Sequence, residues 1–254
     1  MAPDLPSLTS YPADIRVAYV DYNGTALFTC ASVPIGAQVE KLVILCPSLG
    51  HEYERSHRGL GQCAVQLARA GIPAIRFDYS NTGDSAEDPV AGPSRWGDEA
   101  AFLAQHFSGV FGVSDVTFLG LRFGAFAASA AAMQTAGKAC LWHPVSGGAA
   151  LLNEWEARHR DMNDALGRAL NAYGDAILGW EIPRQWREEM STLSLQLNTS
   201  SDIVASSSED ISACPRDRWH EVPQNAFWQA ADDEGMVPGP AIAKIVDLLR
   251  GGAS

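Results

Sequence analysis

Cysteine is sparse and scattered in this chain: Cys30, Cys46, Cys63, Cys140 and Cys214 form no CxxC pair and no Cys/His cluster. Neither a zinc site nor a disulfide framework is indicated, and these residues read as small buried hydrophobes. Positive charge is also short. Eighteen Lys and Arg face 30 Asp and Glu, a formal net charge of −12. A protein that neutralises a phosphate backbone needs a basic face, so nucleic acid is not an expected partner. No apolar run reaches bilayer length, and the opening MAPDLPSLTSYPADIR lacks the basic and apolar regions of a secretion signal. The expectation is a cytoplasmic protein with no membrane span. No linker-like polar run and no internal repeat interrupts the chain, so residues 1–254 are expected to form a single domain. No metal or cofactor is expected either, and a homodimer is compatible with everything read so far.

What is present alternates between strand and helix. Two alternating segments, Arg16 to Asp21 and Ala26 to Ser32, flank Asn23-Gly24, a dipeptide suited to the positive φ of a tight hairpin. KLVILCP, from Lys41, is continuously apolar, as a parallel strand covered on both faces must be. Leu60, Cys63, Ala64, Leu67 and Ala68 recur at helical spacing between Ser56 and Ala70, before the strand IPAIRFDY. A helix over about Arg95 to Phe107, the strand from Asp115 to Gly120, an Ala-rich helix from Phe123 to Met133 and the strand from Ala139 to Pro144 follow. Residues 149–195 change character to charged helices carrying Trp155, Tyr173, Trp180 and Trp186, which reads as a helical cap inserted over the sheet. DIVASSS, DRWHEV and the amphipathic PAIAKIVDLLR resume the alternation. The fold class is α/β, with a mostly parallel sheet of about eight strands opened by an antiparallel hairpin.

The most informative segment is VTFLGLRFGAFAAS, where a strand, Gly-x-Arg-x-Gly and an Ala-rich helix reproduce the setting of a nucleophile elbow. The middle residue is Arg122. A guanidinium stays protonated and has no lone pair to attack a carbonyl, so it cannot form an acyl-enzyme. It can offer a fork of donors to a carboxylate or phosphate, or it can pair with a protein carboxylate such as Glu52 and only fix a loop.

CPSLGHEYERSHRGLGQCAVQLARAGIPAIRFDYSNTGDS, with FLGLRFGA after it, resembles the exosortase A system-associated hydrolases, α/β-hydrolase relatives of the serine aminopeptidase-like group. The set shares the pattern P-x-x-G-x-E-Y-x-R-S-x-R, then R-F-D-Y-x-x-T-G-D-S and G-L-R-x-G-A, so Arg at the elbow looks like one of its features. The likeness is close from about Leu42 to Ala125 and elsewhere follows only the order of elements. It implies the α/β-hydrolase fold, and implies an activity only loosely.

In that fold the acid follows the seventh strand, at Glu209 or Asp210, and the base precedes the last helix. That stretch offers Asp232, Asp233 and Glu234 but no histidine. His220, in RWHEV, reads as a half-buried strand residue. Three functions from different classes remain. A non-classical enzyme would use His51 as base, Glu52, and Arg122 as charge stabiliser on a small acyl or anionic ligand, with Ser48, Leu49, Gly50, Phe123 and His143 contacting it. A pseudoenzyme would keep the pocket as a binding module of a biosynthetic or export assembly. A hydrolase with a relocated nucleophile would use Ser48 or Cys46. Within RFDYSNTGDS, Asp78, Asp84 and Ser85 read as turn chemistry, with Asp84 accepting backbone N–H bonds. The basic cluster Arg55, His57 and Arg58 reads either as an anion contact or as a solvated helical turn.

Overall fold

The computed structural model describes residues 10–167, 176–205, 216–222, 228 and 237–251. The chain opens with β1 (Ala13–Tyr22) and β2 (Thr25–Pro34), joined at Asn23 and Gly24, whose φ values of 53° and 92° make the expected left-handed turn. Then come β3 (Lys41–Cys46), α1 (His51–Arg69), β4 (Ala74–Phe77), α2 (Trp96–Phe111), β5 (Asp115–Leu121), α3 (Gly124–Thr135) and β6 (Lys138–Trp142). Two helices, α4 (Gly148–Ala165) and α5 (Arg184–Thr192), precede β7 (Ser201–Ala205), β8 (Trp219–Glu221) and α6 (Gly239–Arg250).

The eight strands form one sheet in the order β1-β2-β4-β3-β5-β6-β7-β8. β1 pairs β2, and β2 pairs β4, antiparallel; every pairing from β4 through β8 is parallel. Parallel strands need helical crossovers, and the helices divide between the faces. Leu42, Ile44 and Phe118 point to the face carrying α2 and α3, while Val43, Leu45 and Leu119 point to the face carrying α1 and α6. No helix among the described residues is long and apolar enough to cross a membrane.

α1 begins at His51, five residues before the apolar periodicity that suggested a helix from Ser56. Gly50, at φ 62°, turns the chain into it, and the N–H of Tyr53 donates to the Gly50 carbonyl at 3.0 Å. Glu52 and Glu54 fall in its first turn, where carboxylates suit the positive end of the helix. His51 and Glu52 are therefore helical residues and not members of a loop. Of the basic cluster, His57 and Arg58 are exposed on the next turn.

The turn from β5 into α3 packs so tightly that two positions admit only glycine. A Cβ on Gly124 would fall on the carbonyl oxygens of Cys46 and Pro47, and one on Gly120 would lie 2.7 Å from both Ala125 Cα and Ala128 Cβ. Backbone cannot yield to these contacts. Gly124→Ala is expected to lower stability by about 3 kcal/mol or more. Gly109→Ala, inside α2 where a Cβ meets nothing within 4 Å, is expected to raise it by roughly 0.5–1 kcal/mol. Urea unfolding of the two variants checks both signs.

Candidate functional site

Arg122 occupies the residue between β5 and α3, with φ 51°, in the left-handed region that a non-glycine residue adopts only when its surroundings hold it there. Its N–H donates to the Trp142 carbonyl at 3.0 Å, continuing the ladder onto β6, and its own carbonyl accepts from Ala125. The residue is 7% exposed and its side chain is surrounded by carboxylates. Nε donates to Glu52 Oε1 at 3.1 Å, and Nη2 lies 3.1 Å from the same oxygen and 2.6 Å from Glu154 Oε2. The guanidinium also lies over the Trp228 ring, 5.1 Å from its centre. Burial alone lowers the pKa of the guanidinium, but Glu52 and Glu154 more than offset this, and the net direction is up.

Glu52 is the other half of this arrangement. It is fully buried, and besides Arg122 its Oε1 accepts from Trp155 Nε1 at 3.0 Å while Oε2 accepts from Ser48 Oγ at 2.6 Å. Four segments thus meet on one carboxylate: the β3–α1 loop through Ser48, α1 through Glu52, the elbow through Arg122, and α4 through Trp155.

Two histidines flank the network. His51 stands edge-on to Trp155 with ring centres 5.4 Å apart, and His143 packs on Trp228 at 4.5 Å. Burial, aided for His51 by Arg158 and Arg122 and for His143 by Arg122, lowers each pKa to about 4. Both imidazoles are neutral at neutral pH.

A cavity of about 540 Å³ is bordered by Ser48. Ser48, Leu49 and Gly50 form one wall, the 81–91 loop a second, and Trp180, Ile182 and Trp186 a third. Of the residues expected to bind or react, only Ser48, Leu49 and Gly50 border it. Glu52 touches Arg122 directly and does not face it across a pocket. His51, Glu52, Arg122 and His143 do not line the cavity. Phe123 is fully buried, wedged against Trp96 and Phe126 at 5.5 and 5.8 Å between ring centres. Trp180 and Trp186 line the cavity, whereas Trp155 spends its indole N–H on Glu52. Tyr173, Glu209, Asp210, Asp232, Asp233 and Glu234 lie outside the described residues.

Cys46 is fully buried and burial pushes its thiol pKa up, which removes it as a thiolate nucleophile. In the β4–α2 turn the acceptor is Asp78, not Asp84. Asp78 Oδ2 takes the Asp84 N–H at 2.9 Å and Oδ1 takes the Tyr53 hydroxyl at 2.7 Å, so the sequence's choice of carboxylate was reversed. His220 sits in β8 with Nε2 3.2 Å from Asp202. No group of three His, Cys, Asp or Glu able to hold a metal occurs among the described residues. Glu154 and Trp228 were not foreseen. Glu154 stands four residues before Arg158 in a charged helix, and nothing local marks it as the partner of a residue on another element.

No protein-family model and no curated protein matches the chain. Solved structures do. A proline iminopeptidase-related protein of Thermus thermophilus superposes with TM-score 0.57 at 16% identity, over 94% of this chain and 97% of its own. A Xanthomonas campestris protein described as an α/β serine hydrolase without lid gives 0.56 at 14%, over 96% and 95%. DcsB, solved with its substrate analogue, gives 0.59 at 15%, over 94% and 98%. The chain has the α/β-hydrolase fold. In α/β-hydrolases the sharp turn after the fifth strand carries the nucleophile, and the loop after the third strand supplies N–H groups to the oxyanion. Arg122 and Ser48–Gly50 stand at those two places in this chain.

Two expectations follow. Arg122→Met strands Glu52 as a buried charge and should cost about 3–5 kcal/mol, as should Glu52→Gln, while the double variant costs well below the sum of the two. Glu154→Gln, at a side chain 36% exposed, should cost about 1 kcal/mol or less. Urea denaturation of the four variants reads the coupling. Separately, His51 and His143 protonate more readily unfolded than folded, so their contribution is complete above about pH 6.5 and is lost as pH falls toward 4. Tm should fall through that window, and His143→Gln should reduce the stability lost across it by up to about 3 kcal/mol.

Proposed function

We propose that this protein is a small-molecule binding module on an α/β-hydrolase fold with a degenerate triad, and that it does not run serine-hydrolase chemistry. The observation that carries the reading is Arg122 at the elbow, held by Glu52 and Glu154. A residue with no lone pair stands where an attacking oxygen is needed, and its donors are turned to protein carboxylates instead of a ligand.

Ser48 is the remaining candidate for covalent chemistry, because it borders the cavity. Its hydrogen bond goes to Glu52, and no hydrogen bond joins it to His51 among the described residues. Moving its proton to Glu52 would neutralise one half of a buried ion pair and leave Arg122 less compensated, which low dielectric opposes. A mechanism through His51, Glu52 and Arg122 has a different difficulty: none of the three borders the cavity. The reading therefore places ligand binding in the cavity and assigns the charged network a holding role.

The segment 149–195 acts in this reading as a cap on a single domain, supplying Trp180 and Trp186 to an acyl-sized, largely apolar ligand. The resemblance to exosortase A system-associated hydrolases supports work alongside a biosynthetic or export assembly. A fluorophosphonate probe is the test. Native protein incubated with it should show no mass increase, and Ser48→Ala should be indistinguishable from it. Covalent labelling at Ser48 of the native protein, absent in Ser48→Ala, would overturn the reading and restore a serine mechanism.

A further inference from the structure

We infer that the cavity selects a positively charged, amine-bearing ligand with a small apolar body over the corresponding carboxylate. This names the ligand class for the site proposed above and rests on the cavity being that site.

The first observation is the sign of the lining. Glu87 and Asp88 lie on the 81–91 wall and Glu181 on the opposing wall, and no Lys, Arg or His among the described residues borders the cavity. The carboxylates differ in what they already hold. Asp88 Oδ1 accepts the Val90 N–H at 3.0 Å and Oδ2 the Thr25 hydroxyl at 3.5 Å, so it anchors its own loop. Glu87 and Glu181 make no hydrogen bond or ion pair with any described residue and keep their lone pairs for a visitor.

The second observation is independent of charge: the hydroxyl and amide protons on the lining are largely spent within the protein, which leaves the indole N–H groups of Trp180 and Trp186 as the main side-chain donors among the described lining residues. Ser48 donates to Glu52, Tyr53 to Asp78, Thr82 to the Tyr79 carbonyl and Ser85 to the Asp78 carbonyl. Asn81 spends its amide on the Asp88 and Ala91 carbonyls. A carboxylate entering the cavity would lose its hydration and find few side-chain donors to replace it, at the steep cost of burying an unpaired charge. An ammonium needs acceptors, which these oxygens offer.

The third is the pair of indoles. Trp186 is braced edge-on by the fully buried Trp96, 4.9 Å between ring centres, and Trp180 lies against Gly50. Braced indole faces receive both an apolar body and a cation. The net charge of −12 adds a field of the same sign at long range.

Three probes of one size and different charge test the inference: phenethylamine, phenethyl alcohol and phenylacetate, titrated at neutral pH by calorimetry and tryptophan fluorescence. Phenethylamine should bind about tenfold more tightly than phenethyl alcohol, phenylacetate more weakly than either, and added salt should erode the amine's advantage. In Glu87→Gln/Glu181→Gln, whose exposed positions leave folding intact by melting temperature, the amine should fall to the affinity of the alcohol while the alcohol keeps its own. Phenylacetate binding as tightly as phenethylamine, or an amine advantage that survives the double substitution, overturns the inference. If the alcohol binds and the amine does no better, charge selection falls while the cavity remains a binding site. If none of the three binds, both readings fall together.

Discussion

The contact between Arg122 and Glu52 joins parts of the chain that sequence order keeps far apart. Both groups are out of water, Glu52 entirely, and each alone would carry the full penalty of a buried charge. Paired, they fix the elbow to the first turn of α1. Because Glu52 also accepts from Ser48 and Trp155, the β3–α1 loop and α4 are drawn to the same point. A carboxylate and a guanidinium hold geometry through several directional bonds at once, which an apolar contact of equal volume cannot do. The tight β5–α3 turn depends on this as much as on its glycines, since Arg122 must stay at φ 51°.

One consequence is a division of space around Ser48. Ser48 borders the cavity, yet its hydroxyl donates to Glu52 and so joins the charged network, and neither imidazole nor Trp228 lines the cavity. In a hydrolase of this fold, nucleophile and oxyanion donors open into one space. Here the polar side chains at those two places, Arg122 and Ser48, both bond to Glu52, and the cavity is built from other material: the 81–91 loop, Trp180 before α5 and Trp186 within it.

How much of this a reader of the sequence could see depended on whether the information was local. Asn23-Gly24 and the apolar run from Lys41 announced the hairpin and the central strand, because turn chemistry and double-sided burial act over a few residues. Arg122 at the elbow was legible for the same reason, and its pairing with Glu52 was one of two readings. The start of α1 was not legible, since HEYERS looks like a solvated loop until the acidic first turn is recognised as a helix signal. Glu154 and Trp228 were invisible, because they reach Arg122 from other elements and no periodicity encodes that meeting. The cavity could not be located either. Where it opens is decided by where α5 and the 81–91 loop settle, and that is a property of packing.

Arg122 and His143 share one backbone geometry at the ends of adjacent strands. Each ends a parallel strand, each has positive φ, at 51° and 45°, and each sends its N–H across to the next strand: Arg122 to Trp142, His143 to Val204. The same step repeated on adjacent strands brings both side chains against Trp228. A non-glycine residue in this conformation costs about 1–2 kcal/mol, so the ladder bonds and the packing on the indole must offset it at each position. A guanidinium and an imidazole sharing one ring cannot both be charged cheaply, and the His143 pKa is lowered first by burial and then by the permanently cationic Arg122. The two strained strand ends hold a cation and a neutral ring against one indole, and the shared packing on Trp228 helps to stabilise that arrangement.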